Sequence, residues 1–259
     1  YDVVADDFAA LDLTGDSQTF GVGVAYPIVR SKSSNLYFDA GYQQKDFKNK
    51  SAGSVTSDYQ VNNLTLTLTG NAFDKFGGGG ANLANVDVVF GDVDLGSLES
   101  SENAELNGSF EKIRYLVSRQ QLINEKFSLY GALNGQLTSD NLDSSEKFFL
   151  GGANGVRAYP NNEGGGSIGH MLNLELRYQA QTNLTLTGFY DWGRVKQNAD
   201  NNIASPASPN RFDLKGAGLA LLWTGPEGIS VKGTFARRIG DNPNPTTTGN
   251  DQDGTLKKN

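Results

Sequence analysis

The sequence predicts an all-β protein, an antiparallel transmembrane β-barrel, and three observations lead there. Apolar and polar residues alternate with period two in ten segments, each close to the length that a tilted strand needs to cross a bilayer. The connections between these segments alternate between short and long. Aromatic residues fall on the apolar face near both ends of the strands, as they do where rings sit at two membrane–water interfaces.

The ten spans expected are 17–28, 36–46, 59–70, 81–91, 110–118, 127–138, 167–178, 183–195, 212–223 and 229–238. In the first, Phe20, Val22, Val24 and Tyr26 share one face against Thr19, Gly21, Gly23 and Ala25 on the other. In the seventh, Leu172, Leu174, Leu176 and Tyr178 oppose Asn173, Glu175 and Arg177. In the eighth, Leu184, Leu186, Tyr190 and Trp192 take the apolar face, so Thr185, Thr187, Phe189, Asp191 and Gly193 point the other way. Leu219 and Leu221 in the ninth, and Ile229, Val231 and Phe235 against Ser230, Lys232 and Thr234 in the tenth, complete the pattern.

The connections 179–182 and 224–228 are short, whereas 92–109, 139–166 and 196–211 are long. Outer-membrane barrels have this asymmetry, with tight periplasmic turns and elaborated extracellular loops, and a soluble sandwich has no reason to keep it in register. Alternation by itself leaves open which face is wet, because a soluble barrel with an apolar core has the same period. The aromatic residues decide it. Tyr26, Tyr178 and Trp223 fall at the short-turn end of the apolar face, and Phe20, Tyr42, Trp192 and Phe235 toward the long-loop end. Two such girdles suit a lipid-facing exterior around a polar lumen. The apolar leucines and Val231 are therefore expected outside, with Asn173, Glu175, Arg177 and Lys232 in the lumen. The segment Tyr1–Asp16 reads as an extracellular loop feeding a descending strand. A strand rising to residue 238 and followed by the polar stretch 239–259 needs a further descending strand to return, and the N-terminal loop implies earlier strands, so residues 1–259 are expected to form part of a larger, even-numbered barrel whose first and last strands lie outside this chain.

Composition narrows the chemistry. The chain has no cysteine and one histidine, which removes disulfides, Cys/His zinc sites and cysteine nucleophiles together. Its net charge of −7 repels nucleic acid, so no nucleic-acid partner is expected. There is no run of 18 apolar residues, hence no transmembrane helix, and Tyr1–Ala10 lacks the basic and apolar regions of a signal peptide.

Loop 139–166 contains FFLGGANGVRAYP from Phe148 to Pro160. This string resembles the loop-six motif of two-partner secretion outer-membrane transporters, the TpsB/FhaC/ShlB-like family, which is related to the barrel-assembly protein BamA. Gly151 and Gly152 match the family's glycine pair, and Val156, Arg157 and Tyr159 match its VRGY element, with Ala158 standing where the family has glycine. A second element, F-x-D-x-G on the next ascending strand, is matched by Phe189, Asp191 and Gly193. The stretch RRIGDNPNPTTTGNDQDGT resembles the last extracellular loop of this branch.

The resemblance covers nearly the whole chain, as strands six to fifteen of a barrel of about sixteen. It implies a loop folded back into the lumen, with Arg157 paired to Asp191. It also implies an integral outer-membrane pore that passes a partner exoprotein of the haemolysin or adhesin type from periplasm to cell surface, after capture by POTRA domains outside this chain. Outer-membrane lipid and a TpsA-type exoprotein are then the partners, with no cofactor, no metal and no catalytic residue. BamA-like insertion of outer-membrane proteins and passive conduction by a porin are the alternatives. A secreted β-solenoid would show a fixed repeat of 20–50 residues, and none is found.

Weaker motifs carry less. Gly165, Ser167 and Gly169 form G-x-S-x-G beside His170, but the string opens a strand rather than the strand-to-helix turn that a nucleophile elbow needs, so no enzyme is expected. His170 reads as a rim or lumen residue with a hydrogen-bonded neighbour. Gly77–Gly80 lacks a following Lys-Ser/Thr and reads as a flexible turn. Asp251 and Asp253 beside Gly254 offer too few oxygen ligands for calcium and read as a solvated loop.

Overall fold

A computed structural model describes residues 13–96, 104–246, 249–251 and 253. Ten long strands form one antiparallel sheet: β1 (Thr14–Arg30), β2 (Ser34–Ser51), β3 (Ser54–Asp74), β4 (Gly80–Asp94), β5 (Gly108–Leu122), β6 (Phe127–Thr138), β9 (Ile168–Gln181), β10 (Leu184–Lys196), β11 (Arg211–Thr224) and β12 (Ser230–Arg238). Two short strands, β7 (Phe148–Phe149) and β8 (Gly165–Gly166), pair with each other inside the loop between β6 and β9. Neighbours in the sheet follow chain order throughout, and the sheet is open, with β1 and β12 as its edges. Each of the ten expected segments is a strand. Among the described residues no helix is long and apolar enough to cross a membrane.

The faces follow the alternation. Leu174, Leu176, Leu219, Leu221 and Val231 are exposed on the outer face, with half-buried Leu172 between them. Phe20 at 68% and Phe235 at 72% exposure show how far this face departs from a soluble surface, which rarely displays aromatic rings in bands. The inner face carries the polar side chains and the loop that packs on them.

The strands run a few residues past the expected ends, to Asp74 in β3 and Leu122 in β5, and furthest at the β2–β3 connection. Residues 47–58 were expected to be a loop, but β2 and β3 run to Ser51 and Ser54 and are joined by Ala52 and Gly53 alone. Both have positive φ, 47° and 78°, the conformation that lets a two-residue turn follow the twist of a hairpin. Polar residues on both faces of this stretch hid the alternation, because period-two contrast arises only where the two faces meet different surroundings. At 21 residues β3 is about twice the 9–11 that a bilayer crossing requires.

The glycine turn is pinned rather than flexible. Gln121 Nε2 donates to the carbonyls of Phe76, Gly77, Gly79 and Leu122. Arg119 holds the neighbouring Asp74 by two hydrogen bonds of 2.6 and 3.0 Å. Of the expected N-terminal loop, Tyr1–Leu11 and Asp12 lie outside the described residues, and Thr14–Asp16 belong to β1.

Candidate functional site

The loop between β6 and β9 lies against the inner face and is held at two stations. At its apex, residues 150–163 form a tight knot made by backbone groups. The N–H of Leu150 and that of Gly151 both donate to the Glu163 carbonyl, Gly152 N–H donates to Tyr159 O, and Val156 N–H donates to Leu150 O. The knot needs its glycines. Gly152 sits at φ 106°, and a Cβ on Gly151 would lie 2.1 Å from the Pro160 carbonyl. Leu150, Val156, Ala158 and Tyr159 then pack with Met171, Val195, Phe212 and Leu214 of β9–β11 into a buried apolar cluster. Gly193 on β10 admits this loop, since a Cβ there would stand 2.6 Å from Leu150 Cδ2.

That packing delivers Arg157 to the wall. Asp191 is 0% exposed and accepts from the Arg157 backbone N–H at 3.1 Å, from Nε at 2.9 Å and from Nη2 at 2.7 Å. Asn173 adds a fourth donor at 2.8 Å. Arg157 Nη1 turns to Glu175, 2.7 Å away, and Glu175 in turn accepts from Arg177 at 2.8 Å. The guanidinium sits over the Phe189 ring, with Cζ 3.6 Å from its centroid. Burial opposes the positive charge, but the Asp191 carboxylate outweighs it and holds the guanidinium pKa above its usual value. An arginine bonded on both edges and stacked on one face has a single orientation, which a lysine point charge would not enforce.

All eight residues singled out from sequence thus meet in one place: Gly151, Gly152, Val156, Arg157 and Tyr159 build the knot, and Phe189, Asp191 and Gly193 receive it. Ala158 does not take positive φ. Its methyl fits because residue 216 opposite is glycine, where a Cβ would come within 2.8 Å of it.

The second station has no sequence signature. Glu146, near the base of the loop, accepts from Lys112 Nζ and Lys45 Nζ, each at 2.7 Å, and from Asn63 at 2.9 Å. Its backbone carbonyl accepts from Lys112 and from Gln136. Burial opposes ionisation of Glu146, yet Lys112 and the other donors prevail and hold its carboxyl below the ordinary carboxylate range. Beside it Leu142 seals a cluster of Val61, Val89, Val93, Leu95 and Phe110 at the base of the ribbon. Lys45, Asn63, Lys112 and Gln136 come from four strands and are far apart in sequence, so only their shared inner-face parity was readable.

Two readings are corrected here. The stretch after β12 is not simply solvated: Asp251 is buried, paired with Arg238, and accepts from Asn242, which also donates to Glu163 at 3.0 Å. Arg238 covers Tyr159 at 4.4 Å. Of the two places read for His170, rim or lumen, the lumen is excluded, because its neighbour Met171 is in the inner cluster and His170 faces the outer side, and its expected hydrogen-bonded neighbour is Tyr115 Oη at 2.6 Å. Ser167 is buried, its hydroxyl accepting from Leu142 N–H and donating to Gln197 O. Among the described residues no group of acidic and histidine side chains is arranged to hold a metal.

A family model described as haemolysin secretion/activation protein ShlB/FhaC/HecB matches residues 1–220. The heme/hemopexin transporter protein HuxB of Haemophilus influenzae is 26% identical over 251 residues, covering 92% of this chain and 43% of that protein. The chain therefore spans less than half the length of the curated relatives it matches. CdiB from Escherichia coli superposes with a TM-score of 0.69 at 18% identity, over 88% of this chain and 42% of the other, and CdiB from Acinetobacter baumannii with 0.68 at 15%, over 88% and 39%.

Proposed function

The chain belongs to the ShlB/FhaC/HecB haemolysin secretion/activation family, and on that premise we propose that the intact protein is an outer-membrane pore that passes a partner exoprotein from periplasm to cell surface. The short-turn rim then faces the periplasm, where POTRA domains capture the unfolded exoprotein, and the long-loop rim faces the medium. The relative HuxB, named a heme/hemopexin transporter, supports cargo-specific transport over general conduction.

The observation that carries the reading is the Arg157 knot. A passive porin has no need of a loop whose guanidinium meets two wall carboxylates, Asp191 and Glu175, inside the lumen. A translocator needs the loop in one defined position as a chain passes beside it. Beneath the knot, Arg157, Glu175, Arg177, Thr185, Thr187 and Lys232 line a polar cavity toward the short-turn rim. No chemical step belongs to this reading. Transport would be driven by folding of the cargo outside the cell.

Export of the partner exoprotein tests it. Arg157→Ala should abolish most secretion while the barrel still reaches the membrane. Undiminished export by that variant overturns the role given to the knot.

A further inference from the structure

The outer face of β9–β12 changes character toward the long-loop rim. Parity fixes which side chains lie there. Val195, Phe212 and Leu214 belong to the inner cluster, and Arg238 touches Tyr159, so Arg194, Lys196, Arg211, Lys215 and Arg237 face outward. Against these five cations the outer faces of the same strands hold one carboxylate, Asp213, which Arg194 engages at 2.6 Å. The concentration is unexpected in a chain of net charge −7. The same rim of β3–β5 has the opposite sign, with Asp58, Asp92, Asp94 and Glu111 outward, so basicity is a property of one sector and not of the rim.

Register adds an independent sign that something is to be bound. Lys196 lies directly opposite Arg211 across the β10–β11 ladder. Like charges in that position destabilise a sheet unless an anion lies between them. Among the described residues Lys196, Arg211, Lys215 and Arg237 make no salt bridge, although Lys196 Nζ does donate to the Ala199 carbonyl at 2.5 Å.

Below the cations, on the same face, lies an apolar groove walled by Leu176, Leu186, Leu219, Leu221 and Phe235. Its floor includes Gly188 and Gly233, where an added Cβ would meet at most Leu219 at 3.9 Å and nothing, respectively. Gly188 is six residues along β10 from Arg194, about 20 Å at strand rise, which is the length scale of an acyl chain.

We propose that this sector is a docking surface for a phosphate-bearing lipid of the leaflet at the long-loop rim, its phosphates on the Lys196–Arg211–Lys215 cations and an acyl chain in the groove above Gly188. The proposal rests on the outer-membrane placement proposed above. Anionic head groups neutralise the opposed Lys196 and Arg211, and the groove supplies the apolar half of an amphiphile's contacts. Tyr190 and Trp192, outward on β10 between the two regions, mark the interface level.

The intact protein in detergent micelles doped with lipid A, a glycolipid bearing two phosphates, reads this by native mass spectrometry. Wild-type protein should retain lipid A, and the double variant Arg211→Gln, Lys215→Gln about tenfold less or lower. Lys126→Gln, a cation at the opposite rim, should retain as much as wild type, and enzymatically dephosphorylated lipid A should be lost from all three. Folding is checked independently by the heat-dependent gel mobility of barrels. Equal retention by wild type and the folded double variant overturns the proposal, as does retention indifferent to the phosphates. Displacement of lipid A by millimolar inorganic phosphate would assign the cations to a free anion and overturn the lipid. Fractionation and exoprotein export in the same strains read the translocator separately, so an intact exporter without the lipid contrast sinks the docking surface alone.

Discussion

Lys112 on β5 and Glu146 on the lumen loop form an ion pair in which each side chain is 3% exposed, and Lys112 reaches both the carboxylate and the backbone carbonyl of the same residue. A pair this dry stabilises the loop only while complete. Lys112→Met leaves one Glu146 oxygen without its partner while Lys45 and Asn63 keep the other, and is expected to cost about 1–3 kcal/mol at the loop base. Glu146→Gln with Lys112→Met should recover part of that loss. Protease cleavage within 139–147 measures both.

The same carboxyl sets a pH dependence. Burial raises its tendency to stay protonated, but Lys112 and the other donors hold its folded pKa below the unfolded value. The stabilisation is therefore complete above the unfolded carboxylate pKa, about 4.3, and is lost as pH falls through the lower folded value. Loop protection in wild type should decline below about pH 4. Glu146→Gln should remove that decline.

Arg157→Lys tests whether charge or shape holds the knot. Lysine keeps the positive charge but cannot bond Asp191 and Glu175 while lying on Phe189, so most of the positioning should be lost. A spin-label distance between the loop apex and β10 should broaden in Arg157→Lys almost as much as in Arg157→Ala. Equal sharpness in wild type and Arg157→Lys would show that charge suffices.

Gly193→Ala places a methyl where Leu150 Cδ2 now stands. The overpacking should cost about 1–3 kcal/mol and loosen the apex. Leu150→Ala in the same chain should restore the fit without restoring the buried apolar area, giving partial rescue in the same distance measurement.

Ala158→Gly returns the family residue and removes a methyl buried against Gly216. Because Ala158 does not occupy positive φ, the change should destabilise the apex by no more than about 1 kcal/mol. Enhanced loop protection in the variant would contradict this.

The sequence by itself determined the ten strands, their faces and the inward aim of Asp191, while the pairing of Asp191 with Arg157 was implied by the family resemblance. Parity is a local property: once Leu184, Leu186 and Trp192 are outside, Asp191 is inside, and the glycine pair marks a knot that only small residues permit. Tertiary structure alone decided the rest. The Glu146 clasp unites residues 45, 63, 112, 136 and 146, and the Arg238–Asp251–Asn242 group closes on Glu163 of the loop from the other side. Each of those side chains looks like an ordinary polar residue on a wet face, because the partner that dries it arrives from a strand or loop distant in sequence. The height of the β2–β3 ribbon was hidden for a related reason. Where both faces of a ribbon are polar and open to solvent no contrast separates them, so the alternation that betrays a half-buried strand has no cause there.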